Sequence, residues 1–122
     1  MSFQNPIPLR LKEARKKAKL SQKALGVRIG MDESSASPRM NQYEKGKHTP
    51  DVQTLKLIAD ELGVPLNYFF CEDTESAELA TLISKMSHEE RCKLVAYIKS
   101  IELEEKDGTT NNIKSPSRVD RK

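Results

Sequence analysis

Basic side chains are concentrated in the first fifty residues of the chain. Residues 1–50 contain eleven Lys and Arg against four Asp and Glu, a balance of +7, whereas residues 51–106 contain six against twelve, a balance of −6. Residues 107–122 add +2. A half-chain with this positive charge attracts polyanions, and the acidic half limits where such a ligand can lie. Charge alone leaves a second interpretation open, in which a run such as Arg15-Lys16-Lys17 is only a solvated helix face.

The sequence offers little for catalysis. The segment His88-Glu89-Glu90-Arg91-Cys92 is superficially similar to a zinc-binding helix, but such a helix needs a second histidine, and His48 is far away in the sequence. The sequence also lacks a glycine-rich phosphate loop and a credible Ser/His/Asp set. We therefore expect no enzyme activity, no metal and no cofactor.

Nothing in the sequence predicts secretion or insertion into a membrane. No run of about 18 apolar residues occurs, and the N-terminal residues do not combine a basic region with an apolar stretch. Cys71 and Cys92 are too few for a disulfide scaffold, so we expect free thiols without an assigned role. The expected location is the cytoplasm.

The composition favours a small all-α protein. Only 36% of the 122 residues are hydrophobic, and 5 Gly with 6 Pro are too few for the turns of an all-β fold. Apolar spacing, capping residues and glycines predict four helices and a short fifth one. The four helices are predicted at Leu9 to Leu20, Gln22 to Ile29, Pro38 to Lys45 with Ser37 as N-cap, and Val52 to Leu62. The short fifth helix is predicted to begin at Val64-Pro65. These elements should form a compact five-helix bundle.

Beyond residue 70 the composition changes. Two further helices are predicted, one from Glu75 to Lys85 and one from Arg91 to about Glu104 after a capping box at Ser87-His-Glu-Glu90. We therefore divide the chain into an N-terminal arm at 1–8, the bundle at 9–70, a C-terminal helical segment at 71–106 and a tail at 107–122. The tail has neither periodicity nor bulk, so we expect it to be disordered.

Helices 2 and 3, flanked by a basic helix 1 and a packed helix 4, form the arrangement of a helix-turn-helix DNA reader. An ordered series of residues accompanies this arrangement: Leu20-Ser21-Gln22, Leu25, Gly30, Tyr43-Glu44-Lys45-Gly46-Lys47, Pro50, Leu55, Ile58-Ala59, Leu62-Gly63-Val64 and Phe69. Over residues 9–70 this series resembles the Xre family, the Cro and phage-repressor type of helix-turn-helix transcriptional regulator.

The resemblance implies roles for individual residues. Helix 3 would lie in the major groove, so the candidates for reading bases are Ser37, Pro38, Arg39, Asn41 and Gln42. Gln42 is the first choice, because an amide can form two parallel hydrogen bonds with adenine, while Arg39 could grip guanine or a phosphate. The candidates for phosphate contacts, which fix register without reading sequence, are Ser21, Gln22, Lys45 and Lys47, with Lys23 and Arg28 added. The family pattern pairs Glu44 with Arg15 and assigns Met40 and Tyr43 to the core.

Two features depart from the family pattern. The connection between helices 2 and 3 has about four more residues than usual, so it is not the tight turn of this motif. Either Asp32 caps an early start of helix 3, or the segment from Met31 to Ala36 loops outward. Gly26 stands where the family usually has alanine, and we expect close helix packing to survive because both residues are small.

The predicted C-terminal helices carry apolar side chains beyond the needs of the bundle. We expect a dimer interface formed or supported by Leu79, Leu82, Ile83, Leu94, Ile98 and Ile101, the alternative being that these helices only pack on their own bundle. Symmetric pairs on palindromic half-sites are usual for readers of this size.

The sequence therefore predicts a homodimeric, sequence-specific transcriptional regulator that binds double-stranded DNA. We expect a repressor, because a dimer on a promoter blocks polymerase without extra machinery. One alternative is an antitoxin or adaptor whose acidic C-terminal helices bind another protein. A further alternative combines both activities, with residues 71–104 sensing a peptide or a small molecule.

Overall fold

The computed structural model describes residues 2–106. The elements are α1 (Ile7–Lys17), α2 (Gln22–Arg28), α3 (Ala36–Glu44), α4 (Val52–Leu62), a 3₁₀ helix (Leu66–Phe70), α5 (Thr74–Ser84) and α6 (His88–Lys106). No β-strand occurs among these residues, so the predicted all-helical fold is confirmed. The expected disorder of residues 107–122 concerns a segment outside the described residues.

Three helices begin directly after their predicted capping residues, although α6 begins at His88 and not at the predicted Arg91. Ser21 Oγ accepts a hydrogen bond from the backbone N of Ala24 at 2.9 Å, and Asp51 Oδ1 accepts one from Thr54 N at 2.8 Å. The predicted capping box before α6 is also present, since Ser87 Oγ accepts from the N–H of residue 90 and the carboxylate of that residue accepts from Ser87 N. These bonds satisfy first-turn N–H groups that have no partner within the helix.

The boundaries of helices 1 and 3 differ from the prediction. α1 begins at Ile7 because Asn5 Oδ1 accepts from Ile7 N at 3.0 Å, and it ends at Lys17 because Lys19 adopts a left-handed φ of 60°. α3 begins at Ala36, so its N-cap is Ser35 rather than residue 37. Proline is tolerated in this first turn, since its missing N–H would have no intrahelical partner there.

The chain divides into two compact units, Met1–Lys85 and Met86–Lys122. The first unit extends past residue 70, where the change in composition suggested a boundary. The reason is that α5 packs against the 3₁₀ helix and buries Ala77. The second unit is represented by α6, whose apolar residues Val95, Ile98 and Leu103 are largely exposed. None of the described helices combines the length and apolar character needed to span a bilayer.

The core of the first unit is built from all of its helices. Its buried members are Ile7, Leu11, Ala14, Leu25, Met40, Tyr43, Leu55, Ile58, Ala59, Tyr68, Phe69 and Ala77. Met40 and Tyr43 are therefore core residues, as predicted. The fifth element of the bundle is a 3₁₀ helix, which buries Phe69 completely and leaves Phe70 half exposed.

Candidate nucleic-acid interface

A bidentate ion pair anchors the last residue of α3 to α1. Arg15 Nε lies 2.5 Å from Glu44 Oε2, and its Nη2 donates to Glu44 Oε1 at 3.0 Å. The two side chains are only 11% and 3% exposed. Arg15 Nη1 also donates to the carbonyl oxygen of Leu20 at 2.8 Å, so the guanidinium is held from three sides. The hydrogen bond to Glu44 raises the pKa of Arg15, which stays charged and keeps the carboxylate compensated.

The side chain of Gln22 ties α2 to α3. Its Nε2 donates to Glu44 Oε1 at 3.0 Å and to Asn41 Oδ1 at 3.2 Å. An amide nitrogen has two hydrogens, so both donors of this side chain are used inside the protein. The N–H group that Gln22 can still offer to a phosphate is the one of its backbone, in the first turn of α2. Asn41, predicted to read bases, has its side-chain oxygen occupied by the same contact.

The outer side of α3 carries the remaining candidates for reading bases. Pro38 and Arg39 are exposed in the first part of the helix, and Ser37 is half-buried beside them. Gln42 is half-buried in the last turn, with no hydrogen bond from its side-chain amide to any described residue. The free guanidinium of Arg39 and the free amide of Gln42 thus lie about one turn apart on the exposed side of α3.

Two lysines follow α3 directly. Lys45 and Lys47 are exposed on either side of Gly46, which takes a left-handed φ of 77°. Lys47 N donates to the carbonyl oxygen of Gln42 at 2.9 Å, so the backbone here is fixed against the end of α3. Neither lysine forms an ion pair with another described side chain of residues 2–104. Both ammonium groups are available to an anion next to the last turn of α3.

Lys23 and Arg28, the further candidates for phosphate contacts on α2, differ from Lys45 and Lys47 because they form ion pairs. Arg28 pairs with Glu61 of α4 at 3.0 Å, and Lys23 lies 3.5 Å from Glu33 in the connection. Both pairs are exposed, so they are worth little energetically and an anion can compete for the cations. Ser21 Oγ accepts the hydrogen bond that caps α2, and its O–H group can still donate to a phosphate.

The longer connection between α2 and α3 is a compact turn. Asp32 Oδ2 accepts from Ser34 N at 3.0 Å, and the carbonyl oxygen of Asp32 accepts from Ser35 N at 3.1 Å. Asp32 therefore closes a turn before the helix instead of capping it. Ala36, the first helical residue, packs on α2 so closely that a Cβ added at Gly26 would lie 2.7 Å from the Ala36 Cβ.

A second polar cluster was not predicted from the sequence. Arg10 is 2% exposed; its Nε donates to the carbonyl oxygen of Cys71 at 2.9 Å and its Nη1 lies 2.7 Å from Glu13 Oε1. Tyr68 donates to the same carboxylate oxygen at 2.8 Å. Burial raises the pKa of Glu13, but the hydrogen bonds from Tyr68 and Arg10 outweigh it and lower the pKa below 4.5. The spacing of Arg10 and Glu13 gives no sign of this burial, which depends on where the 3₁₀ helix packs.

The residues predicted to form a dimer interface lie on two elements. In α5, Leu79 and Leu82 are more than half exposed, and Ile83 is half-buried. In α6, Ile98 is half exposed, while Leu94 and Ile101 are half-buried. Their assignment to an interface between two copies stays a prediction.

The first compact unit thus has the parts of a helix-turn-helix DNA-binding module: a supported α3 with an exposed outer side, an anchoring α2 and flanking cations. A family model described as Helix-turn-helix matches residues 11–69. The chain is similar to the crystal structure of transcriptional regulator BswR, with a TM-score of 0.70 and 44% sequence identity. The alignment covers 77% of this chain and 93% of the BswR chain. No curated protein matches the chain.

The chain belongs to the Xre-type helix-turn-helix family, which confirms the resemblance found in the sequence. It is a DNA-binding regulator of transcription. The match at residues 11–69 coincides with α1 to the 3₁₀ helix, the elements that support and present α3.

Proposed function

We propose that the protein binds a palindromic operator in double-stranded DNA as a homodimer and represses transcription there. One observation carries the proposal. α3 is anchored on its inner side by the buried pair of Arg15 and Glu44, while its outer side presents Arg39 without an internal partner. A rigid helix with free polar groups on the opposite side suits insertion into the major groove, where base edges are read.

The geometry changes the order of the candidates for reading bases. Arg39 lies in the first part of α3, the end from which recognition helices contact base edges, and its side chain is exposed. We therefore place Arg39 before Gln42, which lies in the last turn. Asn41 contributes by holding α2 and α3 together, since its side-chain oxygen is engaged by Gln22. Ser37 and Pro38 complete the surface with a hydroxyl group and an apolar ring.

Lys45 and Lys47 are the proposed phosphate contacts with the strongest support. Their ammonium groups are exposed, unpaired within the described residues and adjacent to the end of α3. Each phosphate contact contributes about 0.9 to the slope of log K against log salt concentration. The backbone N–H groups at the start of α2 add an uncharged contact.

Titrations of the protein with operator DNA and with random DNA, at several salt concentrations, distinguish base reading from phosphate binding. We expect Arg39→Ala and Gln42→Ala to weaken operator binding more than random binding, by about 1–3 kcal/mol each when the contact is bidentate. Lys47→Ala should weaken both equally and reduce the salt slope by about one unit. Lys56→Ala is the control, because this substitution also removes one positive charge. Lys56 is exposed on α4, where it pairs with Asp60. Equal losses on both DNAs for Arg39→Ala and Gln42→Ala would contradict the assignment of α3 to base reading.

The operator is sought by footprinting on the DNA that flanks the protein's own coding region. A protected pair of half-sites with centres about one helical turn apart would agree with a homodimer. A reporter driven by that promoter should fall when the protein is expressed. A rise in reporter output would refute repression while leaving DNA binding intact.

Association through α6 is tested by sedimentation of the full chain. Ile98→Asp places a charge in the predicted interface and should shift the protein toward the monomer. Leu103→Asp is the matched control, because Leu103 is similarly exposed and helical periodicity places it on another side of α6. If both variants sediment like the parent, the contribution of Ile98 to the interface is refuted.

The exposed leucines of α5 favour one competing function, an adaptor that binds another protein. Leu79 is 56% exposed and Leu82 is 55% exposed. Apolar association is far less sensitive to salt than counterion release from DNA. A steep loss of DNA affinity with added salt, together with sequence preference, would therefore favour the regulator.

A further inference from the structure

The first half of α1 lies beside the loop that follows α3. The ion pair of Arg15 and Glu44 joins the second half of α1 to the end of α3. Two positions after Glu44, a Cβ added at Gly46 would lie 3.5 Å from Pro8 Cγ. Pro8 precedes Arg15 by seven positions, which is about 10 Å along the helix axis. The loop therefore runs back along α1 toward the start of that helix.

Lys12 lies between these two contacts. It follows Pro8 by four positions and precedes Arg15 by three, so helical periodicity places it on the side of α1 that faces the loop. Lys12 is exposed and lines one groove together with Pro8 and Glu44. It forms no ion pair with another described side chain. Its ammonium group is therefore available to an anion beside the loop.

The acidic groups near Lys12 leave its charge uncompensated. Residues 2–12 contain no Asp or Glu, and the carboxylate of Glu13 accepts two hydrogen bonds from within the protein. Glu72 lines the same groove but is not paired with Lys12. Lys12 and the two lysines of the loop therefore form one cationic surface, and Glu72 marks where that surface ends.

We propose that Lys12 binds a phosphate of the same DNA strand as Lys45 and Lys47, so that α1 extends the contact beyond the base pairs that α3 reads. The inference rests on the proposed function, which places the loop on the DNA backbone. A strand carries one phosphate per about 3.4 Å of duplex axis, so cations about 5–10 Å apart along α1 and the loop meet successive phosphates. Lysine suits this contact because its ammonium group is a point charge on a flexible stem. The contact fixes the register of the protein on the duplex and reads no base.

The test is a series of binding titrations of the full chain at several salt concentrations, on operator DNA and on random DNA. Lys12→Ala should weaken binding to both DNAs by the same factor and reduce the slope of log K against log salt concentration by about 0.9. Lys12→Arg should retain the slope. Lys17→Ala is the matched control, because it removes the same charge from another side of α1, where Lys17 lines a groove with Tyr68. A slope that Lys12→Ala lowers no more than Lys17→Ala does would overturn the proposal.

Ethylation interference identifies the phosphate itself. Ethylation of the phosphate bound by Lys12 should weaken binding of the parent and leave binding of Lys12→Ala unchanged, while the phosphates bound by the loop stay sensitive in both proteins. Lys12→Ala should unfold in urea at the midpoint of the parent, because an exposed lysine without a partner contributes little to stability. A lower midpoint with an identical interference pattern would make Lys12 a structural residue and overturn the contact.

The same titrations separate this proposal from the proposed function. A parent chain that binds every DNA equally, but whose salt slope falls in Lys12→Ala, would refute sequence-specific regulation and retain the phosphate contact. A parent chain that selects its operator, with a slope that Lys47→Ala lowers and Lys12→Ala does not, would overturn the contact and leave the regulator intact.

Discussion

Replacing Gly26 with alanine should destabilise the protein, although alanine is the better helix former. Gly26 lies inside α2, where the substitution would normally stabilise by about 0.5–1 kcal/mol. Here an added Cβ would lie 2.7 Å from the Ala36 Cβ, 3.1 Å from the Ala36 Cα and 3.1 Å from Met31 Sδ. The methionine can move, but Ala36 is fixed as the first residue of α3. The two helices must therefore separate.

The expected size follows from the two opposing effects. Inserting an extra methyl group into a packed interior costs about 1–3 kcal/mol. Subtracting the helix-propensity gain leaves a net loss of about 1 kcal/mol, within a range of about 0–2.5. In urea, with a slope of about 1 kcal/mol per molar for a small domain, the unfolding midpoint should fall by about 1 M.

The assay is a double-mutant cycle followed by urea unfolding. Ala36→Gly alone should destabilise, because it removes a buried methyl group. Combined with Gly26→Ala it should restore the space, so the double variant should be more stable than the sum of the two single effects by about 1 kcal/mol. If Gly26→Ala stabilises the protein and the two changes are additive, the close contact between α2 and α3 is refuted.

Two further variants test the buried polar clusters. Arg15→Ala leaves the Glu44 carboxylate, which is 3% exposed, without its cation. We expect it to lower the free energy of unfolding, measured in urea at neutral pH, by about 3–5 kcal/mol. An equal loss in Lys56→Ala, which breaks an exposed ion pair, would contradict the role of burial. Since the pKa of Glu13 is lowered by folding, its contribution to stability is present above pH 4.5 and is lost as the pH falls through its folded-state value. Glu13→Gln should therefore reduce the acid sensitivity of the urea midpoint, and an unchanged pH profile would refute this assignment.

Local chemistry made several helix boundaries predictable. Ser21 and Asp51 cap α2 and α4 through bonds to residues three positions away, and Gly63 ends α4 with a left-handed φ of 72°. Each of these features depends only on a few consecutive residues. The start of α3 was wrong by two positions because Pro38 is compatible with several places in a first turn, and the actual place depends on the turn closed by Asp32.

The family pattern supplies candidate residues for the interface, but not their geometry. A family pattern can assign Gln22 to the DNA side. It cannot show that residues of α3 use both side-chain donors of Gln22, because this depends on the distance between α2 and α3. The same holds for Arg10, whose buried position is fixed by a hydrogen bond to the carbonyl oxygen of Cys71, far away in the sequence. Tertiary contacts of this kind leave no periodic signal.

The two departures from the family pattern have one physical cause. The additional residues after α2 are taken up by the turn at Asp32 and by an early start of α3, which brings Ala36 onto α2. That position leaves too little room for a Cβ on α2, so glycine is favoured at the residue facing Ala36. The longer connection and Gly26 are therefore a matched pair. Shortening the connection alone would remove Ala36 from its contact and leave a gap beside Gly26, whereas restoring alanine alone would push α3 away from the helix that supports it.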